Sequence, residues 1–331
     1  MNAEGLARWL GGGPVTLTPL AGGSSASVYL AEQDGERFVV RSTARPPRPD
    51  SVRALEREAR VLKALAGSAV PHPGFRDYCA DEAVAGAPFL LMDFVDGWLG
   101  ATPPADSDPE FLHATAYALV DGLAALALLE PGAIGLGDFG RPDMFLERQA
   151  DRWRGLMDRH RAHPEYGDRN IPGFDEVGDW LREKRPETQR ISLIHGDASY
   201  SNLIFASDAP VRLAAIIDWE IATLGDPLVD LGRALYPFPS RDGTRGYSLA
   251  IDHSGYPPRE ALAERYAEKT GLSVAALDYY MVLSMYKLAA LIEFNHVKSL
   301  KEPAGSMSRR IADFIPELVA GAHDLARRST L

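Results

Sequence analysis

"LIHGDASYSN", Leu193 to Asn202, runs an apolar segment straight into a histidine, an aspartate and, five residues after the aspartate, an asparagine. Polar side chains so placed behind a β-like run form either a solvated turn or a reactive loop. The sequence that follows decides between them. "NLIFASDAPVRLAAIID" reads as two short strands around a turn, and it ends at Asp218, sixteen residues beyond Asn202. Such a hairpin returns the Asp218 carboxylate to the side of the Asn202 amide oxygen. Both are hard oxygen donors, suited to Mg²⁺ with waters and nucleotide phosphates completing its shell. Asp197, close by but outside that pair, is placed to orient a substrate hydroxyl and take its proton.

Working outward, the first hundred residues read as mixed β and α. "VTLTPL", "SVYLAE" and "RFVVRST" are short β-like runs, and the Asp-Gly in "QDGE" (33–36) marks a hairpin turn between two of them. "SVRALEREARVLKALAG" then predicts a helix with Ser51 as N-cap, Val52, Leu55, Ala59 and Leu62 on one face, and Gly67 at its stop. "PFLLMDFV" (88–95) predicts another strand before Asp96-Gly97. Beyond it helical periodicity dominates, with helices expected near 142–162, 174–185, 258–270, 275–298 and 307–328. The exception is 191–217, the strand-like frame around the opening motif. The expected fold is therefore α+β and bilobal: a small β-rich N-terminal lobe with one main helix (1–97), then a larger, mostly helical lobe (98–331).

Bulk properties narrow the class. The chain has 331 residues, enough for two lobes, with 46% hydrophobic and 24% charged residues, and its net charge is −11. That balance argues against nucleic-acid binding, which needs a basic footprint. The lone Cys79 cannot form an internal disulfide, which fits a reducing compartment. "MNAEGLARWLGGGP" lacks a signal-peptide core, and no apolar run reaches membrane-spanning length. These features predict a cytoplasmic protein with no membrane partner.

"HGDASYSN" together with "IIDWE" resembles the HGDxxxxN and [IV]DWE signatures of the aminoglycoside phosphotransferase and choline kinase-like family, which has a protein-kinase-like fold. The continuation "DWEIATLGDPLVDLG" is similar to the phosphotransferase-type domain associated with some acyl-CoA dehydrogenases. The resemblance implies an ATP- and Mg²⁺-dependent transfer of the γ-phosphoryl group to a hydroxyl of a small molecule, although the sequence does not separate ATP from GTP. It implies that Asp197 is the catalytic base and that Asn202 and Asp218 are the metal residues. His195 then belongs to the catalytic loop, holding it through hydrogen bonds. Glu220 has a structural role, and Asp226 and Asp230 cap the next helix and brace the loop.

On the nucleotide side, Gly22, Gly23, Ser24 and Ser25 form a turn whose amides can approach phosphates. The third strand of the kinase scheme carries a lysine; here Arg41 stands there, keeping the charge and adding a fork. Its expected partner is Glu58, with Glu56 as the alternative register. Met92 and Phe94 sit where a hinge would contact adenine.

Substrate residues are expected in "DYYMVLSMYKLAALIEFNHVKSL", read as an amphipathic helix with Tyr279, Tyr286, Ala290 and Glu293 near one face. Lys287 interrupts its apolar stretch and either snorkels to solvent or meets an anion. The second choice favours a hydroxy acid or hydroxyacyl thioester; an aminoglycoside or other antibiotic is the alternative acceptor. The basic, aromatic "DRWRGLMDRHRAHPEYG" either covers the substrate cleft or is a solvated helix face. Two other classes compete: a catalytically silent nucleotide-binding module, for which Arg41 leaves room, and a metal-dependent hydrolase built on His195 and Asp197. The latter lacks the additional histidines such a site needs.

Overall fold

Short β-branched runs separated by Gly and Asp-Gly turns can satisfy their backbone groups only by pairing, and they do so here in one antiparallel sheet. The computed structural model describes residues 1–20, 26–44, 46–249 and 251–331. After α1 (Ala3–Leu10) come β1 (Thr16–Pro19), β2 (Ala26–Gln33) and β3 (Glu36–Thr43). α2 (Pro49–Leu65) crosses to β4 (Phe75–Cys79), a single-turn α3 (Glu82–Ala85) and β5 (Phe89–Asp93). The sheet order is β1-β2-β3-β5-β4. Phe38, Val40, Phe89 and Leu91 bury one face beneath α1, while Leu55, Leu62 and Leu65 of α2 join Leu90 and Met92 in the main core on the other.

β6 (Trp98–Leu99) already belongs to the second sheet system, pairing with β8 (Leu203–Phe205). Between them lie α4 (Pro109–Ala127), α5 (Gln149–Arg161), α6 (Phe174–Glu183) and β7 (Ser192–Ile194). β9 (Leu213–Ile216) pairs with β8, and β10 (Thr223–Gly225) pairs with β7. The chain then closes with α7 (Leu228–Leu235), α8 (Arg259–Thr270), α9 (Leu277–Ile292), α10 (Phe294–Ser299) and α11 (Met307–Arg328). The protein is α+β, a small antiparallel N-terminal sheet followed by a helical lobe. No helix among the described residues is long and apolar enough to cross a membrane.

Three local expectations are corrected. α2 begins three residues earlier than expected, with Arg48 at the N-cap. Ser51 is its third helical residue, and its hydroxyl accepts the Arg48 N–H at 3.1 Å. Pro49 opens the helix readily because its fixed φ suits the first turn. The helix expected from 142 starts at Gln149, since the preceding Pro142–Arg148 segment forms turns. The long helix expected over 275–298 breaks at Glu293, where a turn separates α9 from α10.

α9 is not amphipathic in practice. Tyr279, Tyr280, Met281, Val282, Leu283, Met285 and Tyr286 are all buried, because α5, α6, α7 and α11 surround it. A helix packed on most of its circumference is apolar nearly all round, so its sequence pattern does not single out a ligand face.

Candidate active site

The opening motif forms the end of β7 and the loop after it. Gly196 adopts φ +85°, which L side chains rarely adopt, and this turn swings Asp197 out of the strand direction. The loop is gripped from four sides. Asp230 of α7 accepts the N–H of His195 at 2.6 Å and that of Gly196 at 2.8 Å. Lys287 of α9 donates to the Gly196 carbonyl. His195 Nδ1 accepts the Asp197 N–H at 3.2 Å, so the ring proton sits on Nε2, 2.9 Å from the Ile217 carbonyl. Asn202 Nδ2 donates to the Asp197 carbonyl at 2.9 Å and to Oδ2 of its carboxylate at 3.2 Å.

His195 is thus fully buried, edge-on to Trp219, with neither ring nitrogen left to face a substrate. Asp226 caps α7 by accepting the Leu228 N–H at 3.0 Å and also receives the Tyr280 hydroxyl at 2.8 Å.

One residue of this set was not visible from sequence. Arg233 of α7 places Nε 2.7 Å from Asp197 Oδ1, and its Nη1 donates to the Tyr236 hydroxyl at 3.1 Å. Burial pushes the Asp197 carboxyl up, but Arg233, His195 and Lys287 outweigh it and hold the group below the usual carboxylate range. For Lys287 burial wins: its ammonium falls to about 8 despite the pull of Asp197 and Asp230.

The hairpin β8–β9 does bring Asn202 and Asp218 together in register. The Ile217 N–H donates to the Asn202 carbonyl at 2.9 Å, and Asp218 follows directly. Asp218 sits at φ 70°, ψ 60°, a left-handed conformation that Asp tolerates better than most residues and that turns the chain sharply after the strand. The pair suits Mg²⁺ chemically. Asn202 spends Nδ2 on Asp197, which leaves Oδ1 as its donor to a cation, and the Asp218 side chain is one-third exposed.

Arg41 of β3 meets Glu58 of α2 at 3.0 Å through Nε, and Nη2 lies 2.7 Å from Asp218 and 2.8 Å from Glu220. Glu58, not the alternative Glu56, is the partner, and its other oxygen accepts the Trp219 N–H at 3.3 Å. Glu220 therefore pairs with a side chain of the N-terminal lobe.

Gly22, Gly23, Ser24 and Ser25 lie outside the described residues. Met92 is inside the sheet, opposite Val39 on one side and Phe75 on the other. With both its edges covered, backbone outside the sheet begins only after Asp93, at Phe94, whose ring carries the Arg37 guanidinium at 4.5 Å.

Two expected substrate residues point elsewhere. Tyr286 is buried and stacks on Phe174 of α6 at 4.2 Å. Glu293 is fully buried, accepting from Arg169 at 2.8 Å and from the Tyr166 hydroxyl at 2.7 Å. Lys287, roughly a quarter-turn from Tyr286 on the helix, faces a cleft instead. That cleft, about 280 Å³, has Gly196 of the loop in its wall and an apolar lining that includes Phe145, Trp153, Leu156, Leu283 and Leu291.

It adjoins a groove of about 610 Å³ bordered by Arg57, Arg141, Arg148 and Arg152 and also by Glu220, with Phe145, Gln149, Arg152, Ile221 and Thr223 lining both. Two of these arginines already meet backbone: Arg57 donates to the Ala222 carbonyl at 3.0 Å and Arg148 to the Arg141 carbonyl at 2.6 Å. Arg152 lies over the Trp153 ring at 4.7 Å; burial, then neighbouring Arg148, lowers its guanidinium. The basic, aromatic segment 151–167 thus contributes to a cleft as well as a solvated face.

An antiparallel sheet with a buried cation–Glu pair, joined to a helical lobe whose strand–loop–hairpin presents Asp, Asn and Asp, defines the protein-kinase-like phosphotransferase class. Residues 16–267 match the phosphotransferase enzyme family, and the chain belongs to that family. Acyl-CoA dehydrogenase family member 10 of Mus musculus is 28% identical over 93% of this chain. Member 11 of Gallus gallus is 27% identical over 96% of it. The chain spans only 29% and 41%, respectively, of those relatives' lengths. Among solved structures, a Ralstonia eutropha protein described as an aminoglycoside phosphotransferase superposes over 100% of this chain and 99% of its own, with a TM-score of 0.81 and 27% identity. An aminoglycoside phosphotransferase solved with ADP and hygromycin B shares the fold over 99% of each chain (TM-score 0.64, 17% identity).

Proposed function

We propose that this chain is an ATP- and Mg²⁺-dependent kinase that phosphorylates the hydroxyl of a small anionic molecule, a hydroxy acid or a hydroxyacyl thioester. Residues 1–97 hold the nucleotide, and residues 98–331 carry the catalytic and acceptor groups. Asp197 accepts the hydroxyl proton as the oxygen attacks the γ-phosphorus and the bond to the β–γ bridging oxygen breaks to release ADP, while Asn202 fixes its second carboxylate oxygen. Asn202 and Asp218 would hold Mg²⁺, which supplies charge neutralisation at the phosphates when bound. Arg41 and residues 22–25 serve the phosphates, and the chain at Phe94 serves the base.

The observation that carries the acceptor class is the adjacency of the apolar cleft at Lys287 to a groove bordered by four arginines and one carboxylate, Glu220. An acyl chain suits the first and a phosphorylated carrier suits the second. The acyl-CoA dehydrogenase names of the relatives are consistent with a thioester. A polycationic aminoglycoside would meet Arg233, Lys287 and these arginines, each pair repelling by about 1 to 4 kcal/mol at 4 Å in a well-solvated cleft.

The test incubates the chain with radiolabelled ATP, Mg²⁺ and, separately, a hydroxyacyl-CoA, the free hydroxy acid and kanamycin. Label should transfer to the thioester or acid and not to kanamycin, and Asp197→Asn should slow transfer by about 10²- to 10⁴-fold. Preferred transfer to kanamycin overturns the acceptor class. Tight nucleotide binding with no turnover on a wide panel of hydroxylated compounds favours the silent module instead.

A further inference from the structure

Three carboxylates converge on the Arg41 guanidinium: Glu58 on Nε, and Asp218 and Glu220 together on Nη2. The first contact is the ion pair expected between a sheet cation and a helix glutamate. The other two are different in kind, because they tie the N-terminal lobe's cation to the very carboxylate read above as a metal residue. At 2.7 Å the Nη2 group sits in close ion-pair contact with Asp218 Oδ1. A divalent cation on that oxygen would lie within a few ångströms of a positive guanidinium, in a cluster where Arg41 and Glu58 are both buried and poorly screened.

We infer that Arg41 competes with the divalent cation for Asp218, so that metal alone binds weakly and enters together with a nucleotide whose phosphates draw the Nη2 group away. Arginine is suited to this exchange and lysine is not. The fork keeps Nε on Glu58 while Nη2 is handed from carboxylates to phosphates, whereas an ammonium offers a single charged point. With Glu58 ionised the cluster carries one positive and three negative charges, so a divalent ion arriving as the guanidinium turns to the phosphates leaves the carboxylates compensated. In thermodynamic terms Arg41 is a source of positive coupling between metal and nucleotide, and the coupling is reciprocal. This inference rests on the reading of Asp218 as a metal residue.

The experiment titrates the full chain with Mn²⁺, following free Mn²⁺ by electron paramagnetic resonance, with and without ADP. Arg41→Met should bind Mn²⁺ without ADP about tenfold more tightly than the wild type, as expected for removing one nearby like charge. The same variant should bind ADP more weakly. Arg41→Lys, which keeps a charge for Glu58, should show a smaller gain of the same sign and decides the matter if the methionine variant does not fold. The gain should vanish in Arg41→Met combined with Asp218→Asn. Unchanged Mn²⁺ affinity in both Arg41 variants overturns the inference, as does a gain that survives loss of Asp218. Asp218→Asn alone separates the two levels: if it leaves Mn²⁺-dependent ADP binding intact, the metal reading itself fails.

Discussion

Arg233 Nε lies 2.7 Å from Asp197 Oδ1, joining the first turn beyond Asp230 on α7 to the residue proposed as base. The same helix face therefore grips the loop twice, through Asp230 on its backbone and through Arg233 on its reactive side chain. A carboxylate so paired is well oriented and stays ionised, at the cost of some basicity.

Arg233 thus sets where the acid limb of the pH–rate profile falls. Burial raises the Asp197 carboxyl and the nearby cations lower it further, giving a net depression. A depressed carboxylate stabilises the fold above the unfolded carboxylate range and loses that contribution as pH falls through its folded value. Arg233→Met should move the acid limb of kcat/KM to higher pH, and Arg233→Lys should largely restore it. A profile that does not move would show that Arg233 only packs.

Glu58 has the opposite sign. Burial pushes its carboxyl up to about 7, against the pull of Arg41 and with Asp218 and Glu220 adding to the rise. The folded state then holds a proton that the unfolded chain releases, so Glu58 makes stability fall as pH rises from about 4.5 to about 7. Glu58→Gln should flatten the dependence of Tm on pH across that window. The slope is the readout, because the substitution also weakens the pairing with Arg41.

The arginine groove predicts a split in kinetic constants. Arg148→Ala and Arg152→Ala should raise KM for a CoA thioester by about tenfold each while leaving kcat nearly unchanged, the signature of lost uniform binding. The salt dependence of KM should become shallower, since fewer ion contacts remain to be screened. Equal losses in kcat and kcat/KM would place these residues in the transition state instead.

Gly232, next to Arg233, packs α7 against α9. A methyl there would fall 2.4 Å from the Tyr280 carbonyl carbon and 2.6 Å from its oxygen, contacts that backbone cannot easily relieve. Gly232→Ala should destabilise the fold by roughly 1–3 kcal/mol, measured by urea unfolding. It should also disturb the Arg233–Asp197 distance, lowering activity beyond what the stability loss explains.

Much of the site was legible because its geometry is local. Asp197, Asn202 and Asp218 are tied by one strand, one loop and one hairpin, whose backbone hydrogen bonds follow from spacing and turn chemistry. The pairing of Arg41 with Glu58 was expected from the resemblance to kinases, with Glu56 as the alternative register, and the structure selects Glu58. What stayed hidden depends on helix packing between distant segments. Arg233 lies 36 residues from Asp197, and Glu293 finds Arg169 across 124 residues. The sequence of α9 marks Tyr286, Lys287 and Glu293 as unusual but not which of them faces a cleft, because a helix packed on most of its circumference has no narrow apolar stripe to orient it. Its neighbours made that choice: Phe174 took Tyr286, Arg169 took Glu293, and Lys287 was left beside Gly196. The sequence by itself determined the α+β class and the loop that carries Asp197, through periodicity and short-range pairing. The tertiary structure alone decided which cations surround that loop, since only packing brings charges from separate helices within a few ångströms of one carboxylate.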